Sequence, residues 1–257
     1  MNKKACIFNK WITLLVMIAC LLLFNTSCGL DTFYVLNPPI SIVHQPDYAN
    51  ESQDSKYFEF WTNENTQIAG FTFQGTDVYY KIYNSYSQMS SEINVLQTLS
   101  NDADKSATAA EKMINNTTSG GYGYKSLKVA GNLTTPLIPA IESNQRVYIR
   151  LSDYQNVEDY SARVLVDGRY LNNSAGKTIP VRNTPDRRTF NFGRNGALDI
   201  APTKEDDDVK FSSGMTSTKW YVAMFAAGVG IDASYQNYYS NILYLGSVSI
   251  DSSSYDN

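Results

Sequence analysis

The sequence contains a single histidine, His44, and three cysteines, all of which lie in its first 28 residues. A chain with one histidine has little scope for zinc binding or for histidine-based acid–base catalysis. The residues after Cys28 hold no cysteine, so we expect no disulfide, no thiol nucleophile and no cysteine metal site there. These scarcities argue against the commonest kinds of catalytic centre.

The usual motifs of catalysis and nucleotide binding are also missing. The sequence has no Gly-x-Ser-x-Gly, no His-Glu-x-x-His, no P-loop and no dinucleotide-binding glycine pattern. Charged residues make up only 18% of the chain and its net charge is −4, which disfavours a nucleic-acid partner because such a partner requires a basic face. We therefore expect a protein that is not an enzyme, takes no cofactor and binds no nucleic acid.

The N-terminal segment has the composition of an export signal. A start with three lysines precedes an apolar run from Trp11 to Phe24, which is shorter than the roughly 20 residues a membrane-spanning helix needs. Thr26 and Ser27 stand directly before Cys28, and this arrangement resembles a bacterial lipobox. The resemblance implies that residues 1–27 are a lipoprotein signal peptide and that acyl chains are attached to the thiol of Cys28. An ordinary cleaved signal and an uncleaved anchor are the alternatives.

The mature chain that this signal implies is strongly acidic. Removing residues 1–27 takes away three lysines and no acid, which leaves 18 basic and 25 acidic residues and a net charge of −7. Such a chain is not drawn to an anionic membrane by charge, so the acyl chains must anchor it. We expect residues 28–55, which include Asn37-Pro38-Pro39, to form a lipidated tether and residues 56–257 to form the folded domain.

The pattern of the folded domain is mostly β. Phe58 and Phe60 alternate around Glu59, and Asp167-Gly168 is a strong hairpin signal between two β-prone runs. Residues 88–116 differ, because their apolar residues recur at helical spacing. We predict an elaborated β-sandwich with a helical insertion that covers one end of the sheets. Whether residues 117–215 form a second β unit stays open.

Three stretches resemble a fibronectin type III domain, an immunoglobulin-like β-sandwich. Phe60-Trp61-Thr62 is similar to the segment around the core tryptophan of its second strand, and Val78-Tyr79-Tyr80-Lys81 to its tyrosine-rich third strand. The stretch from Trp220 to Ala226 is similar to its sixth strand. The resemblance implies that Trp61 fills the centre of a two-sheet core.

The chain as a whole resembles a family of treponemal (spirochaete) lipoproteins of unassigned function. The stretches that carry this resemblance are Cys28-Gly29-Leu30-Asp31, Phe33 to Leu36, Pro38-Pro39, Phe73 to Ser85, Tyr221-Val222-Ala223, Tyr239-Ser240 and Leu245-Gly246. The resemblance implies a location in the bacterial cell envelope, periplasmic or surface-exposed, rather than an activity.

The densest acidic cluster is Glu205-Asp206-Asp207-Asp208. Calcium takes oxygen ligands, so Asp206 and Asp208 are weak candidates for a metal site. The cluster lacks the spaced Asp-x-Asp-x-Asp-Gly pattern of a calcium loop, and the simpler interpretation is a solvated acidic turn.

The candidate binding surface is a predicted loop at residues 228–241, between the last two strands. It is rich in glycine, serine, asparagine and tyrosine, a composition typical of binding loops on sandwich scaffolds. We interpret Tyr235, Tyr238 and Tyr239 as its candidate contact residues, with packing of the same rings onto the sandwich as the alternative.

Together these observations favour a non-enzymatic envelope lipoprotein that binds a protein or glycan through loops at one end of the sandwich. The alternatives are a purely structural envelope component and an enzyme that cleaves carbohydrate with two carboxylates, a pair that only the spatial arrangement could reveal.

Overall fold

The computed structural model describes residues 36–64, 70–131, 135–141, 143–154, 158–171, 178–193, 199–215 and 218–252. The predicted signal peptide, the predicted lipidation residue Cys28 and the beginning of the predicted tether lie outside these ranges. Within them, no helix is both long enough and apolar enough to cross a membrane. Strand accounts for 36% of the structure and helix for 17%, which confirms the prediction of a mostly-β fold with a helical insertion.

Sheet A is antiparallel, with strands numbered in chain order and arranged β1-β2-β7-β8-β9 in the described part of the chain. Its strands are β1 (Ser41–His44), β2 (Phe58–Trp61), β7 (Arg146–Arg150), β8 (Arg163–Val166) and β9 (Arg169–Tyr170). The alternation in β2 decides which face is buried, because Phe58 and Phe60 have no exposed surface whereas Glu59 and Trp61 project from the other face.

Sheet B is built on two long central strands, β3 (Phe71–Tyr83) and β12 (Lys219–Asp232), which pair antiparallel along most of their length. Short strands border this pair on both sides. Those beside β3 are β4 (Lys125–Ser126), β6 (Ile138–Pro139) and the parallel β11 (Val209–Lys210), and those beside β12 are β13 (Asn237–Tyr239) and β14 (Leu243–Asp251). A separate pair consists of β5 (Lys128–Val129) and β10 (Pro180–Val181).

The main hydrophobic core lies between sheets A and B. Alternate residues of the strands supply it, among them Phe60 and Val147 from sheet A and Tyr80 and Val222 from sheet B. Complete burial of one large apolar side chain contributes about 1.5–3 kcal/mol, so the two sheets stabilise each other. Trp220 belongs to this core and makes an edge contact with Phe192 at a centroid distance of 6.3 Å.

The helical insertion covers the opposite face of sheet B. Helix α1 (Tyr86–Asn101) and helix α2 (Ser106–Ile114) confirm the predicted insertion at residues 88–116. They pack on a second core that includes Tyr79 and Phe225 of sheet B and Leu96 of α1. The helices therefore cover a face of a sheet rather than the end of the sandwich. Because both of its faces are covered, β3 is buried along nearly its whole length instead of alternating.

A buried polar cluster attaches α1 to β3. The Nζ atom of Lys81 lies 3.3 Å from Oε2 of Glu92, and the Tyr83 hydroxyl donates to the same oxygen at 2.7 Å. Burial lowers the pKa of Lys81, and the charge of Glu92 acts in the opposite direction. Since a buried charge is stable only when it is paired, this contact fixes the helix in one position on the sheet.

The predicted hairpin at Asp167-Gly168 is confirmed. It joins β8 to β9, and both turn residues have positive φ, +50° for Asp167 and +74° for Gly168. This is the backbone that a two-residue type I′ turn requires, and Asp-Gly is one of the few pairs that adopts it readily.

The structure corrects one predicted boundary and answers one question that the sequence left open. The tether prediction is wrong for residues 36–55, because β1 pairs with β2 and the carbonyl of Pro46 accepts a hydrogen bond from the Ser247 amide at 3.1 Å. Residues 117–215 do not form a second β unit, because they supply β7, β8 and β9 to sheet A and Phe190 to the main core.

Candidate functional site

The predicted binding loop at residues 228–241 is mostly strand. Strand β12 continues to Asp232, and β13 pairs back onto it from Asn237. The loop prediction is therefore wrong, and only a tight turn separates the two strands. Aromatic and glycine-rich stretches are compatible with either structure, and the pairing between β12 and β13 decides it.

The three candidate tyrosines do not form one exposed surface. Tyr235 lies at the turn, is 83% exposed and has a φ of +63°. Tyr238 packs edge-on against Phe71 at 5.9 Å, and its hydroxyl donates to Oδ2 of Asp232 at 3.3 Å. Tyr239 is half-buried against the helix-side core, and this burial raises its pKa. Tyr238 and Tyr239 thus pack against other residues of the protein, and Tyr235 is the one candidate tyrosine of the three that is largely exposed.

Asp206 and Asp208 belong to an ion-pair network rather than to a metal site or a solvated turn. Arg182 and Asp208 are fully buried, and the guanidinium donates from Nη2 to Oδ1 at 2.5 Å and from Nε to Oδ2 at 2.9 Å. Arg182 also donates to Asp206 at 2.8 Å, and Arg188 donates to Asp206 at 3.1 Å. The Tyr80 hydroxyl donates to Oδ2 of Asp208 at 2.6 Å.

This network leaves no room for calcium. The carboxylate oxygens of Asp206 and Asp208 already accept from guanidinium groups, and a cation there would be repelled by Arg182. In the described residues, no group of three or more histidine, cysteine, aspartate or glutamate side chains is arranged to hold a metal ion. The structure therefore contradicts both the solvated turn, which was the simpler interpretation, and the weaker alternative of a metal site at Asp206 and Asp208. The network instead holds the segment before β11 against β3.

Trp61 is not in the core. It is 36% exposed on the outer face of sheet A, whereas its neighbour Phe60 is fully buried. The alternation around Glu59 contained the signal for this placement, because two core residues at 58 and 60 put residue 61 on the opposite face. The position suggested by the fibronectin type III resemblance is therefore wrong for Trp61.

Because Trp61 faces outward, it is expected to contribute less to stability than a core tryptophan would. We expect Trp61→Ala to lower the free energy of unfolding by only about 1 kcal/mol, against about 3–5 kcal/mol for Phe60→Ala, because only Phe60 leaves a cavity in the core. Urea denaturation of both variants measures the difference. Equal losses in the two variants would contradict the outward orientation of Trp61.

The outer face of sheet A carries an unusual set of side chains, which we call the tyrosine–arginine face. Its residues are His44, Tyr57, Glu59, Trp61, Arg146, Tyr148, Arg150 and Arg163. Cross-strand pairing brings them together, since directly opposed residues of neighbouring strands share one face of a sheet. Tyrosine, tryptophan and arginine are the residue types most enriched at energetically important positions of protein interfaces.

The rings of this face form a continuous stack across the strands. His44 lies on Tyr57 with ring centroids 3.8 Å apart and an angle of 13° between the rings. Tyr57 in turn lies on Tyr148 at 4.9 Å and 23°. The guanidinium of Arg163 covers Tyr148, 5.5 Å from its centroid. Such stacking restricts the side-chain rotamers, so the face is ordered before any partner arrives.

The arginines at its two ends differ in exposure. Arg150 is buried beneath the rings of Tyr57 and Tyr160 and donates to the Tyr148 hydroxyl at 3.0 Å. The side chain of Arg146 is half exposed, and its Nε lies 2.8 Å from Oε1 of Glu59. Arg150 therefore supports the stack from within the protein, whereas Arg146 is accessible to solvent and to a partner.

Sequence reasoning missed this face. Its residues are scattered from position 44 to position 163, and only the pairing of four strands collects them. One feature of the sequence pointed to this face. In each alternating strand, the residues that face away from the core include tyrosine and arginine instead of small hydroxyl residues or lysine.

Comparison with protein-family models, with curated proteins and with solved structures finds no match for this chain. The function of the chain is therefore inferred from its own residues. The similarity to treponemal lipoproteins and the lipidation of Cys28 stay predictions.

Proposed function

We propose that this chain is a lipid-anchored protein of the bacterial cell envelope, acylated at Cys28, which has no catalytic role and binds a protein partner through the tyrosine–arginine face. The observation that carries this proposal is the ordered row of His44, Tyr57, Tyr148 and Arg163 on the solvent side of sheet A. This location replaces the sandwich-end loop at residues 228–241 as the proposed contact surface.

The energetics of association support such a role. Binding requires that side chains lose rotamer freedom, which costs about 0.5–1.5 kcal/mol for each one that becomes fixed at the interface. Tyr57 and Tyr148 are already fixed by stacking, and Arg150 holds the Tyr148 hydroxyl at 3.0 Å. The side chains of this face are therefore ordered before binding, so a partner that binds them loses less rotamer entropy.

The stacking geometry favours a protein partner over a glycan at this face. A sugar ring binds an aromatic side chain through the flat face of the ring. The faces of Tyr57 are taken by His44 and Tyr148, and one face of Tyr148 is covered by Arg163. The accessible groups are ring edges, hydroxyls and the Arg146 guanidinium, which suit the wet, hydrogen-bonded contacts of a protein interface.

Photo-cross-linking tests this proposal. We expect a photo-reactive phenylalanine analogue in place of Trp61 to give one discrete protein adduct when the full-length chain is irradiated in intact cells. The same analogue in place of Tyr235, which is 83% exposed at the turn between β12 and β13 of sheet B, serves as the control position and should give no such adduct. Immunoblotting after irradiation measures both.

A second substitution links the adduct to the face. We expect Arg146→Ala to reduce the yield of the Trp61 adduct at least about fivefold, because it removes the exposed guanidinium of the face. Lys204→Ala, a substitution of an exposed cation away from the face, should leave the yield unchanged. An adduct that forms equally from Tyr235, or that survives Arg146→Ala, would exclude the face as the binding surface.

A further inference from the structure

A cleft of about 310 Å³ lies between helix α1, the segment at residues 45–48 and strand β14. It is on the helix side of sheet B, whereas the tyrosine–arginine face is the outer side of sheet A, so the two are separate. Its floor is apolar, formed by Met89 and Ile93, which are 1% and 6% exposed. Its volume is at the lower end of the range for small-molecule sites, which is about 300–1,000 Å³.

One wall of the cleft is a polar stripe on α1. Ser90, Asn94 and Gln97 follow one another at spacings of four and three residues, which places their side chains on the same side of the helix. Within the described residues, these three side chains have no hydrogen-bond partner. The stripe therefore presents donors and acceptors that folding has not used.

The facing wall is held in a fixed position. The Pro46 carbonyl accepts from the Ser247 amide at 3.1 Å, and Nε2 of Gln45 donates to the Tyr244 carbonyl at 3.0 Å. Gly246 has a φ of +119°, and a Cβ there would lie 2.6 Å from the Pro46 oxygen. Only glycine permits this close approach, so the wall is built into the fold.

The chemistry of the lining points to a neutral polyhydroxylated ligand. Arginine, lysine and histidine are absent from the described lining residues, which disfavours an anion, and Asp47 is the single charged side chain among them. A purely apolar ligand is equally disfavoured, because it would remove water from Asn94 and Gln97 without replacing their hydrogen bonds. A sugar ring satisfies both requirements, since its hydroxyl groups donate and accept while its C–H face covers an apolar floor.

We propose that this cleft binds one or two neutral sugar units of an oligosaccharide, with the amides of Asn94 and Gln97 on the hydroxyls and Met89 and Ile93 beneath the ring. The phenols of Tyr48 and Tyr244 border the same space. The helical insertion, which completes the fold by covering sheet B, also supplies the polar wall of this site. A glycan and a protein would then bind on opposite sides of the molecule.

Titration with three neutral disaccharides tests the proposal: cellobiose, maltose and N,N′-diacetylchitobiose. The full-length chain is held in a detergent without a sugar headgroup, and binding is followed by calorimetry and by saturation-transfer NMR. We expect at least one disaccharide to bind with a Kd of about 1 mM or tighter. Asn94→Ala combined with Gln97→Ala should weaken that binding at least about tenfold, since two hydrogen bonds are lost.

The double variant should keep its melting temperature, because both side chains are solvent-accessible and alanine favours a helix. Ser91→Ala combined with Thr98→Ala, on the exposed side of the same helix, is the matched control and should leave the affinity unchanged.

Absence of binding for all three sugars would overturn the proposal, as would equal affinity in the Asn94/Gln97 variant. Tighter binding of a glucuronate-containing disaccharide than of the neutral ones would overturn the neutral class. None of these results bears on the Trp61 cross-link, so the two proposals fail separately.

Discussion

Replacing Cys28 by serine is expected to move the protein completely from the detergent phase to the aqueous phase and to abolish palmitate labelling. The thiol is the predicted attachment point of the acyl chains, and each buried CH₂ group contributes about 0.8 kcal/mol to membrane binding. The mature chain has a net charge of −7 and gains nothing from an anionic membrane surface. Among the described residues, no helix is long enough and apolar enough to cross a membrane.

The chain contains its own controls for this experiment. Cys6→Ser and Cys20→Ser remove the other two thiols, both within the predicted signal peptide, and should leave labelling and phase partitioning unchanged. If the Cys28→Ser protein is still labelled, the lipobox interpretation is wrong. Loss of labelling in Cys20→Ser instead would place the acylated residue inside the apolar run.

Replacing Arg182 by alanine is expected to lower the free energy of unfolding by about 3–5 kcal/mol, a large share of a domain's total stability. Arg182 and Asp208 are both fully buried, and Tyr80 also donates to Asp208. Removing the guanidinium leaves the Asp208 carboxylate in the protein interior with one uncharged hydroxyl donor, and an unpaired charge there is costly. Chemical denaturation at pH 7 measures the loss.

Asp207→Asn is the matched control, because Asp207 is exposed between the two paired aspartates and should change stability by less than about 0.5 kcal/mol. Similar losses from Asp207→Asn and Arg182→Ala would contradict the network.

The pH dependence of stability gives a second test of the network. Burial by itself raises the pKa of Asp206, but the hydrogen bonds from Arg182 and the Thr203 amide, together with the charges of Arg182 and Arg188, outweigh it and hold the pKa below its ordinary value.

The sign of that effect follows from linkage. A carboxylate whose pKa is lower in the folded state contributes stability above its unfolded pKa, about 3.9, and this contribution is lost as the pH falls below that value. We expect the parent protein to lose stability between about pH 4 and pH 2 more steeply than Asp206→Asn.

Local patterns in the sequence were sufficient for part of the secondary structure, although they missed β1 and the pairing of β12 with β13. Alternation of apolar residues predicted the strand around Phe58 and Phe60, helical spacing predicted the insertion at 88–116, and Asp167-Gly168 predicted the hairpin between β8 and β9. These signals concern neighbours in the chain, so no knowledge of long-range contacts was needed. The same alternation places Trp61 outward, and the resemblance to another fold misassigned it.

By itself, therefore, the sequence determined the mostly-β class and the helical insertion, and the lipid anchor at Cys28 stays its prediction. The partners of each charge and each ring depended on long-range pairing. The sequence favoured a solvated turn at Asp206 and Asp208, whereas the fold places Arg182 and Arg188 beside them. The tyrosine–arginine face and the cleft beside α1 likewise collect residues that are far apart in the chain. Such sites depend on which strands are adjacent and on how a helix packs against a sheet, and neither is encoded in the spacing of residues along one segment.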